Sequence, residues 1–215
     1  MSSKKYLLWI MPKKTKSYFL SEKELFSSTK LVRSRKADYM SSRSSLREVL
    51  SLIFNLDPLK VPLDGEFGRI PSIPPEYGYI SLSHCDNALL IGWSIEKIGV
   101  DIERIDRRFN AKGIMKRFYL EDEIKELNLI KNSEEFRKEV MKLWVTKESS
   151  LKWSQDTIAS DLLNWQIKLL ENKAFNKSLN LNLNAYCLKY KNWFLGAASK
   201  FVRIDNTYPL ICDMF

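Results

Sequence analysis

The chain has 215 residues, 45% of them hydrophobic and 12% aromatic, which is enough apolar material for the core of one domain or two small ones. No apolar run approaches the roughly 18–20 residues that span a bilayer, and the apolar segment near the start is too short for a signal peptide. A formal net charge of +9 favours an anionic partner: nucleic acid, membrane headgroups, a phosphorylated cofactor or an acidic protein.

Cysteine spacing and missing recognition motifs narrow the type of protein further. The three cysteines are odd in number and free of Cys-x-x-Cys spacing, which argues against a disulfide framework and a structural zinc site. The sequence has no zinc-finger spacing, no ribonucleoprotein motif and no Gly-x-x-Gly clamp, so its basic residues do not indicate a nucleic-acid reader. We therefore expect a soluble cytoplasmic protein that binds neither nucleic acid nor membranes.

Helices and strands are predicted in both halves of the chain. A capping box formed by Ser21 and Glu24 marks the start of the first helix, and proline and glycine crowd the stretch between Pro58 and Gly78. In chain order, we predict a strand at 6–11, a helix from Ser21, a helix over 30–55, strands at 79–82, 88–95 and 98–103, helices within 111–153, and strands at 165–170, 181–190 and 193–202.

Two carboxylates occupy alternate positions of one predicted strand. Because strand side chains alternate faces, Val100 and Ile102 are expected in the core, while Asp101 and Glu103 project together from the other face. Crowded like charges raise a carboxyl pKa unless a cation lies between them, and hard divalent ions prefer oxygen ligands. The strand therefore indicates a Mg²⁺ site, with a solvated acidic face as the alternative.

The helix predicted after Ser133 carries a second group of polar residues. Its apolar residues recur at spacings of three, four and seven, so that Trp144, Glu148 and Lys152 lie on one side. Taken alone, this side is also explained by an exposed Glu148–Lys152 pair worth about 0.2–0.5 kcal/mol, with Trp144 packed in the core.

Together, the strand and the helix resemble a known pair of motifs. In order and separation, Gly99-Val100-Asp101-Ile102-Glu103 and Trp144-Val145-Thr146-Lys147-Glu148-Ser149 resemble the signature motifs of the 4′-phosphopantetheinyl transferases, (I/V)G(I/V)DxE and W-x-x-KE-(S/A)-x-x-K. Three earlier segments are similar to the larger, single-chain pseudodimeric branch of that family, the surfactin-synthetase-activating type: Ser42-Arg43-Ser44-Ser45-Leu46, Phe67-Gly68-Arg69 and Ser81-Leu82-Ser83-His84. The chain departs from the pattern at Ile70, where the family has a proline.

This resemblance implies a reaction and a fold. The enzyme would be of the holo-[acyl-carrier-protein] synthase type: it would transfer 4′-phosphopantetheine from coenzyme A to a serine of an apo carrier protein and release adenosine 3′,5′-bisphosphate. The carrier would be an acidic acyl or peptidyl carrier protein of fatty-acid, polyketide or nonribosomal-peptide synthesis. The fold would consist of two α+β halves, 1–97 and 98–215, related by a pseudo-twofold within a monomer, with the active site in the cleft between them.

The resemblance also assigns roles to individual residues. The ligands of Mg²⁺, or alternatively Mn²⁺, would be Asp101, Glu103 and Glu148. Glu148 would accept the serine proton directly or through water, and Lys152 would stabilise the leaving phosphate. The implied coenzyme A contacts are Arg43, Arg69, Ser83, His84, Lys147 and Lys152, with Arg33 and Arg35 left open as further phosphate contacts.

Several interpretations stay open from the residues alone. A lone histidine such as His84 is commonly structural or solvated. The segment Phe118-Tyr119 is either near the carrier-docking surface, as the resemblance implies, or part of the core. The alternative functions are another Mg²⁺-dependent phosphohydrolase acting on coenzyme A or nucleotides, and a basic non-catalytic protein that binds nucleic acid or membranes.

Overall fold

Helices cover the outer faces of two β-sheets whose inner faces pack together. The computed structural model describes residues 6–13, 19–65, 70–154, 159–200 and 210–213. The strands are β1 (Tyr6–Pro12), β2 (Tyr79–His84), β3 (Ala88–Ser94), β4 (Gly99–Arg104), β5 (Trp165–Lys168), β6 (Lys173–Asn176), β7 (Leu181–Tyr190), β8 (Trp193–Ser199) and β9 (Leu210–Asp213). The helices are α1 (Glu22–Thr29), α2 (Arg33–Phe54), α3 (Ala111–Phe118), α4 (Glu121–Asn128) and α5 (Ser133–Ser154). The predicted α+β class is confirmed.

The first sheet has the strand order β2-β3-β1-β9, in which β1 pairs antiparallel with β3 and parallel with β9. Helix α2 covers its outer face, where Leu46 and Leu50 pack against Trp9, Met11 and Ile91. The alternation along β1 explains this packing, because Trp9 and Met11 point towards α2 whereas Leu8 and Ile10 point the other way.

The second sheet has the order β4-β8-β7-β6-β5 and is antiparallel throughout. Helix α5 crosses its outer face at very close range. A Cβ atom added to Gly99 would lie 1.9 Å from the carbonyl oxygen of Ser149, and one added to Gly196 would lie 2.2 Å from that of Val145. Glycine at these two strand positions therefore allows the backbone of α5 to contact β4 and β8 directly.

Apolar residues from the two sheets meet in one shared layer. Leu8, Ile10 and Leu90 of the first sheet pack with Val100 and Ile102 of the second, and all five are at most 1% exposed. The side of β4 that carries Asp101 faces α5 instead, so the predicted division of this strand into an apolar and an acidic side matches the structure.

Some elements differ from the sequence prediction. The strands β6 and β9 were not predicted, and β9 joins the first sheet, so the chain returns to the N-terminal half after residue 209. The segment 111–153 is divided into three helices: Tyr119 and Leu120 adopt extended backbone angles between α3 and α4, and residues 129–132 separate α4 from α5. Among the described residues, no helix is long and apolar enough to cross a membrane.

Candidate active site

The candidate site forms where the free edges of the two sheets meet. Strands β2 and β4 are edge strands, and the backbone N–H of Val100 donates a hydrogen bond of 3.0 Å to Oγ of Ser81. Two residues along β2, Oγ of Ser83 donates to Oδ1 of Asp101 at 2.6 Å. Because Ile80 and Leu82 pack towards α2, the alternating serines of β2 face β4. These bonds fix the carboxylate of Asp101 in a site where it is 5% exposed.

Helix α5 places an ammonium group beside this carboxylate. Nζ of Lys152 lies 2.6 Å from Oδ1 of Asp101 and 2.9 Å from Oγ of Ser83. Trp144, Glu148 and Lys152 are half-buried, whereas the residues between them on α5 are buried. These three residues therefore form the predicted stripe on α5, and Lys152, at the end of the stripe, contacts Asp101 of β4.

Two further carboxylates lie near Asp101 and have perturbed proton affinities. Burial raises the pKa of Glu103 to about 7; Asp101 and Asp86 also raise it, and an ion pair with Arg107 acts in the opposite direction. Burial and the negative charge of Asp101 raise the pKa of Glu148, and Lys152 partly offsets them. Asp101, Glu103 and Glu148 therefore form a group of crowded like charges, which favours binding of a cation or protons.

The donor chemistry of this group fits a hard divalent cation. Oδ2 of Asp101 is buried and has no hydrogen-bond partner, so one carboxylate oxygen remains available. Carboxylate oxygens are the ligands that Mg²⁺ prefers. The present side-chain positions are not those of a closed coordination sphere: within the described part of the chain, no three His, Cys, Asp or Glu residues are grouped to hold an ion. Arg107 engages Glu103, and Lys152 engages the other oxygen of Asp101.

His84 lies next to this cluster at the exposed end of β2. Surrounding atoms desolvate the ring, and together with the positive charge of Lys13 they lower the pKa of His84, while Asp38 raises it. Lys152 and Asp101 also act on the ring, so His84 belongs to the same electrostatic environment. The lowered pKa favours the uncharged imidazole, which presents one donor and one acceptor nitrogen.

Arg43 is buried and already engaged by backbone groups. Its guanidinium donates to the carbonyl oxygens of Asp64 at 2.8 Å and Gly65 at 2.6 Å, and it lies 5.3 Å from the ring of Tyr39. Burial lowers the pKa of Arg43. The predicted partner Arg69, with Phe67 and Gly68, lies outside the described residues.

Lys147 points away from the cluster although Glu148 follows it directly. Its side chain is fully buried, with Nζ 2.9 Å from Oε2 of Glu123 and hydrogen bonds to the carbonyls of Leu162 and Trp165. Glu123 also accepts from the backbone N–H of Ile167 at 2.8 Å. Lys147 therefore links α5 to α4 and β5. Its ammonium group lies away from the carboxylate cluster, where the predicted phosphate contact would be.

The aromatic pair after α3 divides between core and surface. Tyr119 is 3% exposed and donates from its hydroxyl to the carbonyl of Val140. Phe118 is half-buried, with its ring centroid 5.5 Å from that of Trp144. Tyr119 is therefore a core residue, and Phe118 packs beside the stripe of α5 that carries Glu148.

A cavity of about 180 Å³ opens beside Lys152. Tyr79, Ile98 and Trp153 supply apolar walls, and Ser81 and Lys152 lie on its side towards Asp101. Such a cavity can hold the apolar part of a ligand while an anionic group contacts the ammonium of Lys152.

Comparison with known families agrees with this geometry. Residues 97–202 match the family model of the 4′-phosphopantetheinyl transferase superfamily. The match covers 106 of the 215 residues. No curated protein matches the chain. The matched segment contains Asp101, Glu103, Glu148 and Lys152, whereas Arg43, Ser83 and His84 lie before it. This match supports phosphopantetheine transfer in general, and the superfamily uses coenzyme A as substrate, typically with a divalent metal.

Two residues at the candidate site were not predicted as site residues from the sequence. Ser81 connects β2 to the backbone of β4, and the Ser81-Leu82-Ser83 alternation was the available signal for it. Arg107 pairs with Glu103 four residues earlier.

Proposed function

We propose that this protein transfers 4′-phosphopantetheine from coenzyme A to a serine hydroxyl of an apo carrier protein in an Mg²⁺-dependent reaction. The observation that carries the proposal is the contact between Asp101 and Lys152, which lies inside the matched segment with Glu103 and Glu148 close by. Anionic and cationic side chains thus converge beside a cavity, as the transfer of a phosphoryl group requires.

In this reaction the serine oxygen forms a bond to the phosphorus that carries the pantetheine arm. The bond from that phosphorus to the bridging pyrophosphate oxygen breaks, and adenosine 3′,5′-bisphosphate leaves. Glu148 accepts the serine proton, since burial and Asp101 raise its proton affinity. Lys152 stabilises the phosphate that leaves, because its ammonium is held at the edge of the cavity by Asp101 and Ser83.

The metal ligands in this proposal are Asp101, Glu103 and Glu148. When bound, Mg²⁺ supplies charge neutralisation on the pyrophosphate oxygens. Glu103 would give up its contact with Arg107 to hold the ion, and Oδ2 of Asp101, which has no hydrogen-bond partner, would be available to it.

Coenzyme A phosphates would contact Ser83, His84 and Lys152, which are neighbours at the end of β2. Arg43 supports this role less directly, because its guanidinium is bonded to the carbonyls of Asp64 and Gly65. Arg69 remains part of the proposal on the motif resemblance alone. Lys147 is omitted from the set because it is buried against Glu123.

We further propose that the chain is a cytoplasmic monomer of the larger, single-chain branch. Two 22-residue helices, α2 and α5, each cover the outer face of one sheet, and the candidate site lies where the sheets meet. This arrangement supports two related α+β halves, 1–97 and 98–215, although β9 crosses back to the first sheet.

Mass spectrometry of an apo acyl carrier protein, incubated with coenzyme A, Mg²⁺ and this protein, tests the proposed reaction. The expected result is a carrier whose mass increases by one phosphopantetheine group, and a carrier with alanine at the acceptor serine is the matched control. Cleavage of coenzyme A without any carrier modification would instead support the phosphohydrolase. Unchanged coenzyme A and unchanged carrier would exclude both activities.

A further inference from the structure

The junction between α1 and α2 exposes apolar side chains within a basic surface. Leu25 is 46% exposed, Phe26 64% and Val32 67%. Nζ of Lys30 lies 4.6 Å from the ring centroid of Phe26, and Arg33 and Arg35 are exposed at the start of α2. We call Leu25, Phe26, Lys30, Val32, Arg33 and Arg35 the α1–α2 patch.

The charge of this patch is not balanced within α2 itself. The first turn of α2 contains no acidic residue, and the N-cap residue Val32 provides no side-chain hydrogen bond. Arg33 and Arg35 therefore add positive charge where the helix dipole is already positive, an arrangement that an external negative charge would stabilise.

The start of α2 lies close to the end of β2: Lys13, which pairs with Asp38 of α2, donates from its backbone N–H to the carbonyl oxygen of Asn87 at 3.1 Å, three residues after His84. Asp38, in the second turn of α2, and Lys13, which pairs with it at 3.1 Å, both act electrostatically on His84. His84 in turn interacts with Lys152 and Asp101. The first turns of α2 therefore border the cluster from which the pantetheine arm would be transferred.

From this arrangement we infer that the α1–α2 patch is the docking surface for the acidic carrier protein. The inference rests on the proposed function. The basic residues would meet the carrier's carboxylates, and Leu25, Phe26 and Val32 would meet apolar side chains between them, as expected for an interface with an apolar centre and a charged rim. A small phosphate ligand would not account for the three exposed apolar side chains of this patch.

Two double variants test the patch, and a third is their matched control. The patch variants are Phe26→Ser with Arg33→Ser, and Val32→Ser with Arg35→Ser. In the second variant, serine at the N-cap position is expected to strengthen the start of α2, so weaker docking cannot be attributed to unfolding. The control is Leu129→Ser with Lys131→Ser, which removes one exposed apolar and one exposed basic side chain near α4.

Steady-state kinetics with an acidic apo acyl carrier protein supply the measurement. We expect each patch variant to raise the KM for the carrier by about tenfold or more while kcat changes by less than about twofold, since rim charges and apolar anchors act on docking. The KM for coenzyme A should stay constant, and the control variant should behave as wild type. Salt should lower the specificity constant of wild type more steeply than that of the patch variants.

Three results would overturn the docking surface. The first is an unchanged KM for the carrier in both patch variants. The second is a higher KM for coenzyme A with carrier docking intact, which would assign the arginines to the nucleotide. The third is binding to vesicles of equal parts phosphatidylcholine and phosphatidylserine that the same substitutions abolish while the carrier KM stays constant. Absence of any transfer by wild type at saturating carrier would instead remove the proposed function, and this inference with it.

Discussion

The ammonium of Lys152 and the carboxylate of Asp101 are 51 residues apart in sequence and 2.6 Å apart in the structure. Ser83 bridges the pair by donating to the carboxylate and accepting from the ammonium. The contact joins β2, β4 and α5, so it fixes the relative positions of the carboxylates and of the group proposed to stabilise the leaving phosphate. Substitution of Asp101 is therefore the most direct test of the site.

Asp101→Asn should reduce kcat for carrier modification by about 100-fold or more, as expected for loss of a group that stabilises transition-state charge. Stability should change little, because loss of the contact with Lys152 is offset by less repulsion of Glu103 and Glu148. Asp106→Asn, at an exposed carboxylate paired with Arg104, is the matched control and should retain activity. Turnover near the wild-type rate in Asp101→Asn would contradict the metal assignment.

Lys147→Met should destabilise the fold by about 3–5 kcal/mol, because it leaves the buried carboxylate of Glu123 without its cation. Lys142→Met is the control on the same helix. Its partner Glu139 is partly exposed, so the expected cost is within about 1 kcal/mol. Urea unfolding followed by circular dichroism measures both. A stable Lys147→Met variant with a raised KM for coenzyme A would restore the phosphate contact implied by the sequence motif.

Local periodicity was sufficient to predict much of the site. Alternation along β4 separated Val100 and Ile102 from Asp101 and Glu103, and helical spacing placed Trp144, Glu148 and Lys152 on one stripe. These are properties of single elements, which sequence patterns report directly.

Contacts between elements that are distant in sequence could not be predicted from such patterns. The partner of Lys147 is Glu123, on a different helix, so the motif could not show that Lys147 is turned into the core while Glu148 is not. Strand β9 has four residues and pairs with β1 from the far end of the chain, and β6 is equally short. Such short strands depend on their neighbours in the sheet rather than on a periodic pattern of their own.

Substitutions of His84 and Arg43 test two separate contacts to coenzyme A. His84→Ala should raise the KM for coenzyme A with a smaller effect on kcat, because the ring borders the cluster without joining it.

If Arg43 contacts the 3′-phosphate, Arg43→Ala should weaken binding of coenzyme A but not of dephospho-coenzyme A, as measured by isothermal titration. Equal losses for both ligands would instead indicate that Arg43 acts by holding the carbonyls of Asp64 and Gly65.

Gly99→Ala should lower both the free energy of unfolding and the rate of carrier modification. The added methyl group would lie 1.9 Å from the carbonyl oxygen of Ser149 and 2.5 Å from the backbone nitrogen of Trp153, so α5 must move. Overpacking of this kind costs about 1–3 kcal/mol, and displacement of α5 separates Lys152 from Asp101. In Gly113→Ala the new methyl group meets the side chain of Asn110, which can rotate, so a smaller loss is expected. Equal thermal stability of the two variants would contradict direct contact between α5 and β4.

The contribution of Glu103 to the stability of the metal-free protein should fall as pH rises, because this carboxyl has a pKa of about 7 in the folded state against an ordinary value of 4.5. The folded state therefore binds the proton more tightly than the unfolded state. This contribution is fully present below about pH 4.5 and is lost as pH rises through about 7. Urea unfolding in EDTA between about pH 5 and 8 measures the slope, which Glu103→Gln should reduce. Glu134→Gln is the control: Lys138 lowers the pKa of that carboxyl, so its titration lies below this range.

Addition of Mg²⁺ should reverse part of this pH dependence. Protons and the cation compete for the same carboxylates, so Mg²⁺ should raise the free energy of unfolding more at about pH 8 than at about pH 5. The increase should be lost in Asp101→Asn, which removes the carboxylate with the unpartnered oxygen, and retained in Asp106→Asn. An increase that is the same at both pH values, or that persists in Asp101→Asn, would show that the ion binds elsewhere on the protein.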